Sequence, residues 1–366
     1  MRVITIMFLS MALASAPCSA QIEPQTIQPG EKMHTPGKNW FMAITDNAGY
    51  IYDATTGEMQ GLISLSSQTP AVQPSMARHE FYAAASYYSR GSYGARTDIL
   101  TIHDFDNLSP VAEVDIPDKI TALGFRAYIG MMSGGRHVGV SNMTPAQSVS
   151  IVDIEKRNFV GEISTPGCSL IMPVDNNDFM TICGDGTLML VGLGDDGRET
   201  NRSRSSPFFD VQEDAVYDWP EPTAGGWLLV SVAGKAFTAK ADGSRINISK
   251  PWDMVASEDA ADNWWPGGNQ LIAVHKSLGL AYLIVHQGEQ YSFREPGTEI
   301  WVFSLDAQRR IARMVFEKPV ANVMVTQEDE PLLIVSGEEG GIEIYDALRF
   351  THERTIEGPT GIYEDF

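Results

Sequence analysis

The stretch Asp262-Asn263-Trp264-Trp265-Pro266-Gly267-Gly268 opens a segment that runs to Asp306 and decides the fold. After it come an apolar run at 270–275, a strand-like piece at 281–285, a long polar segment at 287–298 and a strand at 299–305. Apolar alternation, turn residues and then alternation again is the pattern of a small antiparallel sheet. Such a unit cannot bury both of its faces alone, so it predicts neighbours of the same kind.

The neighbours are present along the chain. Tyr50-Ile51-Tyr52-Asp53 leads through Thr55-Thr56-Gly57 to 59–63, and Leu100-Thr101-Ile102-His103-Asp104 leads through Asn107-Leu108-Ser109 to 111–116. Val149-Ser150-Ile151-Val152-Asp153 leads to 159–163, Leu188-Met189-Leu190-Val191 to Gly194-Asp195-Asp196-Gly197, and Ala236-Phe237-Thr238-Ala239 to 246–248. The strand at 299–305 leads to 311–315, and Ile342-Glu343-Ile344-Tyr345-Asp346 to 353–356. These are seven copies, spaced by about 40 to 65 residues, near the blade length of propeller repeats. Radial stacking buries both faces of each sheet and leaves short edges. The expected fold is therefore all-β, a seven-bladed β-propeller over residues 39–366. The recurring Asp is expected to cap its own turn through backbone N–H groups. The 33 Gly and 20 Pro supply the breaks between short strands. The one credible helical stretch is 251–261, with room for one or two turns and with Pro251 suited to a first helical position.

Residues 1–20 have the form of a secretory signal: Arg2, an apolar run at 3–14, and Cys18-Ser19-Ala20 before the expected cleavage. Pro17 before Cys18 does not suit lipid attachment there. Export to the periplasm is the expected localisation, and no other apolar run is long enough to span a membrane. Residues 21–38, with Pro24, Pro29 and Pro36 and no periodicity, read as an extended arm. Cys168 and Cys183 remain after cleavage and are expected to form a disulfide across a hairpin that turns at Asp175-Asn176-Asn177-Asp178. A net charge of −21 speaks against nucleic acid and anionic lipid as partners.

Catalytic signatures are missing from the sequence. It has no Gly-x-Ser-x-Gly elbow and no His-Glu-x-x-His, and the seven His are scattered. His103-Asp104 falls on a repeat's turn, and Ser133-Gly134-Gly135-Arg136 has no following helix to make it an anion cradle. The acidic runs at 194–196 and 327–330 lack the alternating ligands of a calcium loop. No catalytic, cofactor-binding or metal-binding residue is expected in this chain, and Trp264 and Trp265 are expected to be packing residues.

Several strings resemble the heavy subunit of the quinoprotein amine dehydrogenases. They are Phe179-Met180-Thr181-Ile182-Cys183-Gly184-Asp185-Gly186, with Cys168 upstream, and Asn263-Trp264-Trp265-Pro266-Gly267-Gly268, with His275 and Tyr282. Gly94-Ala95-Arg96-Thr97-Asp98, Ser203-Arg204-Ser205, Glu299-Ile300-Trp301-Val302 and the segment 306–313 belong with them. The resemblance spans roughly residues 51–357, and the strings at 181–186 and 203–205 lean toward the aromatic (aralkylamine) branch over the methylamine branch. It implies a seven-bladed propeller paired with a small disulfide-rich light subunit, two heavy and two light chains, in the periplasm. It implies that the light subunit carries tryptophan tryptophylquinone, and that primary amines are oxidised to aldehyde and ammonia. Electrons would pass to a blue copper protein, azurin- or amicyanin-like. Where the family has a channel-mouth aromatic, this sequence has Ser67. The inserted loop makes Gln287, Glu289, Tyr291, Phe293 and Arg294 the candidate partner contacts. The competing readings are a stand-alone periplasmic propeller scaffold and a propeller lactonase with a central metal.

Overall fold

In the computed structural model, described for residues 32–66, 71–117, 119–120, 123–289 and 291–366, the seven copies are seven four- or five-stranded antiparallel sheets. From the centre outward, blade 1 takes its strands from Ile362–Asp365, Trp40–Ile44, Ala48–Asp53 and Met59–Ser64. Blades 2 to 7 follow in chain order, with innermost strands Val72–Ser75, Ile129–Met131, Cys168–Pro173, Glu221–Thr223, Ile272–His275 and Asn322–Val325. The ring is closed by pairing between the two ends of the propeller, Phe41 opposite Asp365 and Ile44 opposite Ile362.

Burial follows the stacking. Phe81–Ser86 in blade 2 and Ala281–His286 in blade 6 are buried at every position, because a neighbouring blade covers each face. Outermost strands such as Pro110–Ile116 alternate, with only one face covered. Each blade interface has its own apolar cluster: Phe81, Val72 and Met42 between blades 1 and 2, and Ile334, Ile344 and Tyr363 between blades 7 and 1, for example. Fully burying one such side chain contributes about 1.5–3 kcal/mol, so the ring rests on many equivalent interfaces rather than one core.

The repeat's Asp does what its position predicts. Oδ1 of Asp53 accepts from the N–H groups of Thr55 and Thr56, that of Asp153 from Glu155 and Lys156, and that of Asp346 from Leu348 and Arg349. Asp104 accepts from Asn107. Asp306 departs from the pattern, and its turn is capped by Ser304 Oγ, which accepts from Ala307. Ser133–Gly135 is the turn between the two inner strands of blade 3, pinned by Gly134 N–H donating to Asn177.

The expected one to two helical turns are present, but they do not start at Pro251. Only Ser257–Ala261 is helical, while Trp252–Asp253 forms a strand that pairs with Lys235 and Ala236 of blade 5. The indole at 252 packs against Phe303 at a tilt, and that tertiary contact outweighs local helical preference. Cys168 and Cys183 face each other in register and are bonded, with a single turn of 3-10 helix at Asp175–Asn177 reversing the chain. Replacing both Cys by Ser should cost about 3 kcal/mol of unfolding free energy in denaturant titration. An unchanged midpoint would mean that the hairpin is held by its strand pairing alone.

Candidate functional site

Inner strands all run the same way, so the loops divide between two faces. The upper face carries the connections into each innermost strand and the loops between second and third strands. The capped Asp turns lie on the lower face. The axis opens on the upper face as a mouth of about 730 Å³ lined by Thr45, Asp46, Asn47, Phe125, Asn269, Asn322, Glu338 and Arg294.

Position 67 lies outside the described residues. Its connection starts on this face, where Leu65 N–H donates to Asn47 O and Ser66 Oγ to Ser86 O. The segment read as an inserted loop begins and ends in strands, Leu280–Gln287 and Gly297–Ser304, and the second-to-third strand connection of blade 6 between them starts and ends on this face. Its residues divide between self-anchoring and exposure. Gln287 donates to Asp262 O, and Glu289 O accepts from Ser292. Tyr291 donates its hydroxyl to Glu213 O at 3.1 Å, Phe293 packs edge-on to Tyr217, and Arg294 reaches Asp218 at 3.4 Å and the ring of Phe125. Three of the five candidate contact residues thus tie the loop to the mouth and to the connection between blades 4 and 5. Tyr291 and Phe293 still expose 51% and 45% of their surface, which leaves an aromatic patch beside the mouth.

The resembling strings, distant in sequence, meet as compact clusters. In blade 4, Arg204 pairs with Asp185 at 2.7 Å and its other terminal nitrogen lies 3.4 Å from Cys168 Sγ. In blade 2, Asp98 is 7% exposed and accepts from Arg96, from Ser86 Oγ and from Ile120 N–H. In blade 6, Glu299 accepts a bidentate pair from Arg313, at 2.8 and 2.7 Å, and the indole N–H of Trp301. Burial alone would raise the Glu299 pKa, but these donors hold it below the usual carboxylate value. Arg313 lies 5.5 Å from the ring centres of both Trp264 and Trp301, and Arg310 lies 4.0 Å over Trp301.

That cluster decides what the tryptophans can do. Trp264 and Trp265 are consecutive in a strand, so their side chains point to opposite faces. Trp265 donates its N–H to Gly288 O, and the partner indole of Trp264 is Trp301, wholly buried. Neither Trp264 nor Trp265 is thus paired with a second indole open to a substrate.

Below the mouth, the axis holds a cavity of about 350 Å³ bounded by all seven innermost strands. It holds a charge cluster that no local motif announced. Arg126, just before the innermost strand of blade 3, lies 3.2 Å from Glu221 of blade 5 and 3.3 Å from Glu364 of the closing strand. Lys276 and Asp365 line the same space. Protein surrounds the Arg126 guanidinium, although 24% of its side chain faces the cavity void. Burial pushes Glu364 up to about 8 against the Arg126 charge, with Glu221 and Asp365 adding to the push. Burial likewise takes Asp365 to about 6 despite Lys276 and Arg126, and raises Glu221. Burial alone would lower the Arg126 pKa, but its three carboxylate neighbours raise it. Sequence reading missed these residues because they come from four different blades. The only sequence signal was a charge inside a short innermost strand, as in Pro220-Glu221-Pro222.

Among the described residues, no group of three or more His, Cys, Asp or Glu is placed to hold a metal ion, and no helix is long and apolar enough to cross a membrane.

A family model described as methylamine dehydrogenase heavy chain (MADH) matches residues 33–358. The methylamine dehydrogenase heavy chain of Methylophilus methylotrophus is 26% identical over 331 residues, 90% of this chain and 78% of that one. That of Paracoccus versutus is 25% identical over 325 residues, 87% of this chain and 74% of that one. Among solved structures, a putative 6-phosphogluconolactonase of Bacteroides uniformis superposes with a TM-score of 0.63 at 11% identity, covering 90% of this chain and 99% of that one. The periplasmic gluconolactonase of Pseudomonas aeruginosa gives 0.59 at 12% identity, covering 88% and 96%. At such identities the two lactonases share the fold and nothing more. The family model spans all of the propeller except its closing strand, Ile362–Asp365, with the disulfide hairpin and the three clusters inside it, and the chain belongs to the methylamine dehydrogenase heavy chain family.

Proposed function

We propose that this chain is the heavy subunit of a quinoprotein amine dehydrogenase. The observation that carries the reading is the family match over residues 33–358. In this reading a small disulfide-rich light chain docks on the upper face, in a complex of two heavy and two light chains. The tryptophylquinone belongs to that light chain and supplies the two-electron oxidation of amine and water to aldehyde and ammonia. The electrons pass on to a blue copper protein in the periplasm. The heavy chain contributes the docking face and the wall of the substrate path. Support for the upper face comes from the mouth, the aromatic patch at Tyr291 and Phe293, and the loop's anchorage to Asp218 and Glu213.

The substrate class proposed is an aralkylamine, on the strings 181–186 and 203–205. Methylamine, which stands in the relatives' names, is the competing substrate. Comparing turnover of 2-phenylethylamine and methylamine decides between them.

Assembly gives the direct test of the docking face. Co-expression of this chain with its small partner should yield a stable complex on gel filtration. Deleting 288–296 should leave the thermal unfolding midpoint within a few degrees, because the loop lies outside the blade interfaces, and should weaken assembly at least about tenfold. Normal assembly of the deletion variant would move the interface elsewhere.

A further inference from the structure

Beneath the segment 288–296 lies a buried histidine, His286, 3% exposed. Its Nε2 is 2.8 Å from Ser292 Oγ. The Ser292 hydroxyl gives its one proton to Glu289 O, so Oγ can only accept from the imidazole. Nε2 therefore carries the proton and Nδ1 the lone pair. Nδ1 is buried and meets no hydrogen-bond partner among the described residues. It faces the bare Cα of Gly267, where a Cβ would overlap both Nδ1 and Glu295 O. That carbonyl already accepts from Gly268 N–H. A proton added at Nδ1 would put a charge in a closed space with no acceptor waiting for it. Few charges oppose this. Glu295 favours the charged imidazole, but burial outweighs it and holds the His286 pKa below its ordinary value. The strand Trp264–Pro266 brings no charge. Glu299, opposite Val285, has its side chain on the other face of the sheet, with Arg313. Arg294 is drawn away to Asp218, and Glu338 lines the outer side of the segment.

We propose that His286 and Ser292 form an acid-released clasp, which holds the segment 288–296 against blade 6 while the imidazole is neutral and lets it go when the imidazole takes a proton. Trp265, directly opposite His286 in the strand pair, donates to Gly288 O and keeps the start of the segment tethered when the clasp opens. In the open form the imidazole regains its ordinary value of about 6.5. Acid therefore favours the open form. Opening rises by up to about tenfold per pH unit below that value, until the clasped imidazole is itself protonated. The axial carboxyls respond in the opposite sense, because they stabilise the propeller as pH falls through about 8 and about 6. Acid thus loosens this segment while it tightens the ring of blades. On the docking reading, acid also weakens assembly with the small partner. That link rests on the docking reading, whereas the clasp belongs to this chain alone. Assembly indifferent to acid while the clasp opens would count against the docking face and not against the clasp.

Amide hydrogen exchange of the purified full chain tests the clasp, read by mass spectrometry at about pH 7.5 and about pH 5 and corrected for the intrinsic pH dependence of exchange. Peptides covering 288–295 should open at least about tenfold more at the lower pH, while those covering 280–285 in the blade's second strand keep their protection. His286→Gln keeps an N–H for Ser292 but does not titrate, and should abolish the pH dependence. Ser292→Ala, at a partly exposed position, should open the segment at both pH values and return the His286 imidazole resonances to an ordinary titration. No acid-linked opening in the wild type, the same pH dependence in His286→Gln, or a segment as well protected in Ser292→Ala as in the wild type would overturn the proposal.

Discussion

Replacing Arg126 by Met should lower the unfolding free energy by about 3–5 kcal/mol, the usual loss when one member of a buried ion pair is removed. Among the described residues, Arg126 is the only side chain that pairs with two carboxylates across the axis, and it ties blade 3 to blade 5 and to the strand that closes the ring. Without it, Glu221 and Glu364 face each other in the cavity with Lys276 as the nearest remaining cation in the lining. Methionine fills much of the volume, so the loss reports charge more than packing. The loss should also depend on pH. At about pH 5.5 the carboxyls can take up protons and relieve the repulsion, whereas at about pH 8.5 they cannot do so without cost. Denaturant titrations at the two pH values should therefore show the larger loss at the higher one. Equal losses would mean that Arg126 acts through packing alone.

The wild-type chain should itself lose stability as pH rises above about 5. Glu364 goes from its usual 4.5 to about 8 on folding, and Asp365 from 3.8 to about 6. Both groups hold in the folded state a proton that the unfolded chain releases earlier. Their contribution is complete below the unfolded values and is lost as pH rises through about 6 and then about 8. The summed loss is on the order of 3 kcal/mol, allowing for relaxation and water in the cavity. Groups shifted the other way act at the acid end. Asp153, taken down to about 2 by Arg136 and its turn's N–H groups against its burial, and Glu299, held low by Arg313, lose their contribution as pH falls. Stability should therefore peak near pH 5 and decline on both sides. Glu364→Gln should remove the upper part of the alkaline decline and leave the acid limb intact. A wild-type midpoint that is flat between about pH 5 and 9 would contradict the charge cluster.

The fold was legible because its information is local and repeated. The hairpins ending in Asp53, Asp104, Asp153 and Asp346 each announce a strand, a cap and a return strand within a few residues, and the structure places all four on one face. The disulfide was legible for the same reason, since Cys168 and Cys183 flank one hairpin. The expected helix start at Pro251 failed because Trp252 has its partner, Phe303, in another blade. The loop residues Tyr291, Phe293 and Arg294 were legible as an insertion, but not as one anchored to Glu213, Tyr217 and Asp218. The axial cluster was not legible as a cluster. A propeller's axis collects one short strand from every blade, so Arg126, Glu221, Lys276 and Glu364 become neighbours only when the ring closes. Closure depends on Phe41 meeting Asp365 from the far end of the chain.

The most direct measurement is amine-dependent reduction of an electron-acceptor dye by the complex of this chain with its small partner. The account predicts that the complex reduces the dye with two electrons per amine, releasing aldehyde and ammonia, and that this chain alone reduces none. A chain that purifies from its native source without a small disulfide-rich partner, or a complex that leaves the dye oxidised with every primary amine offered, would contradict it.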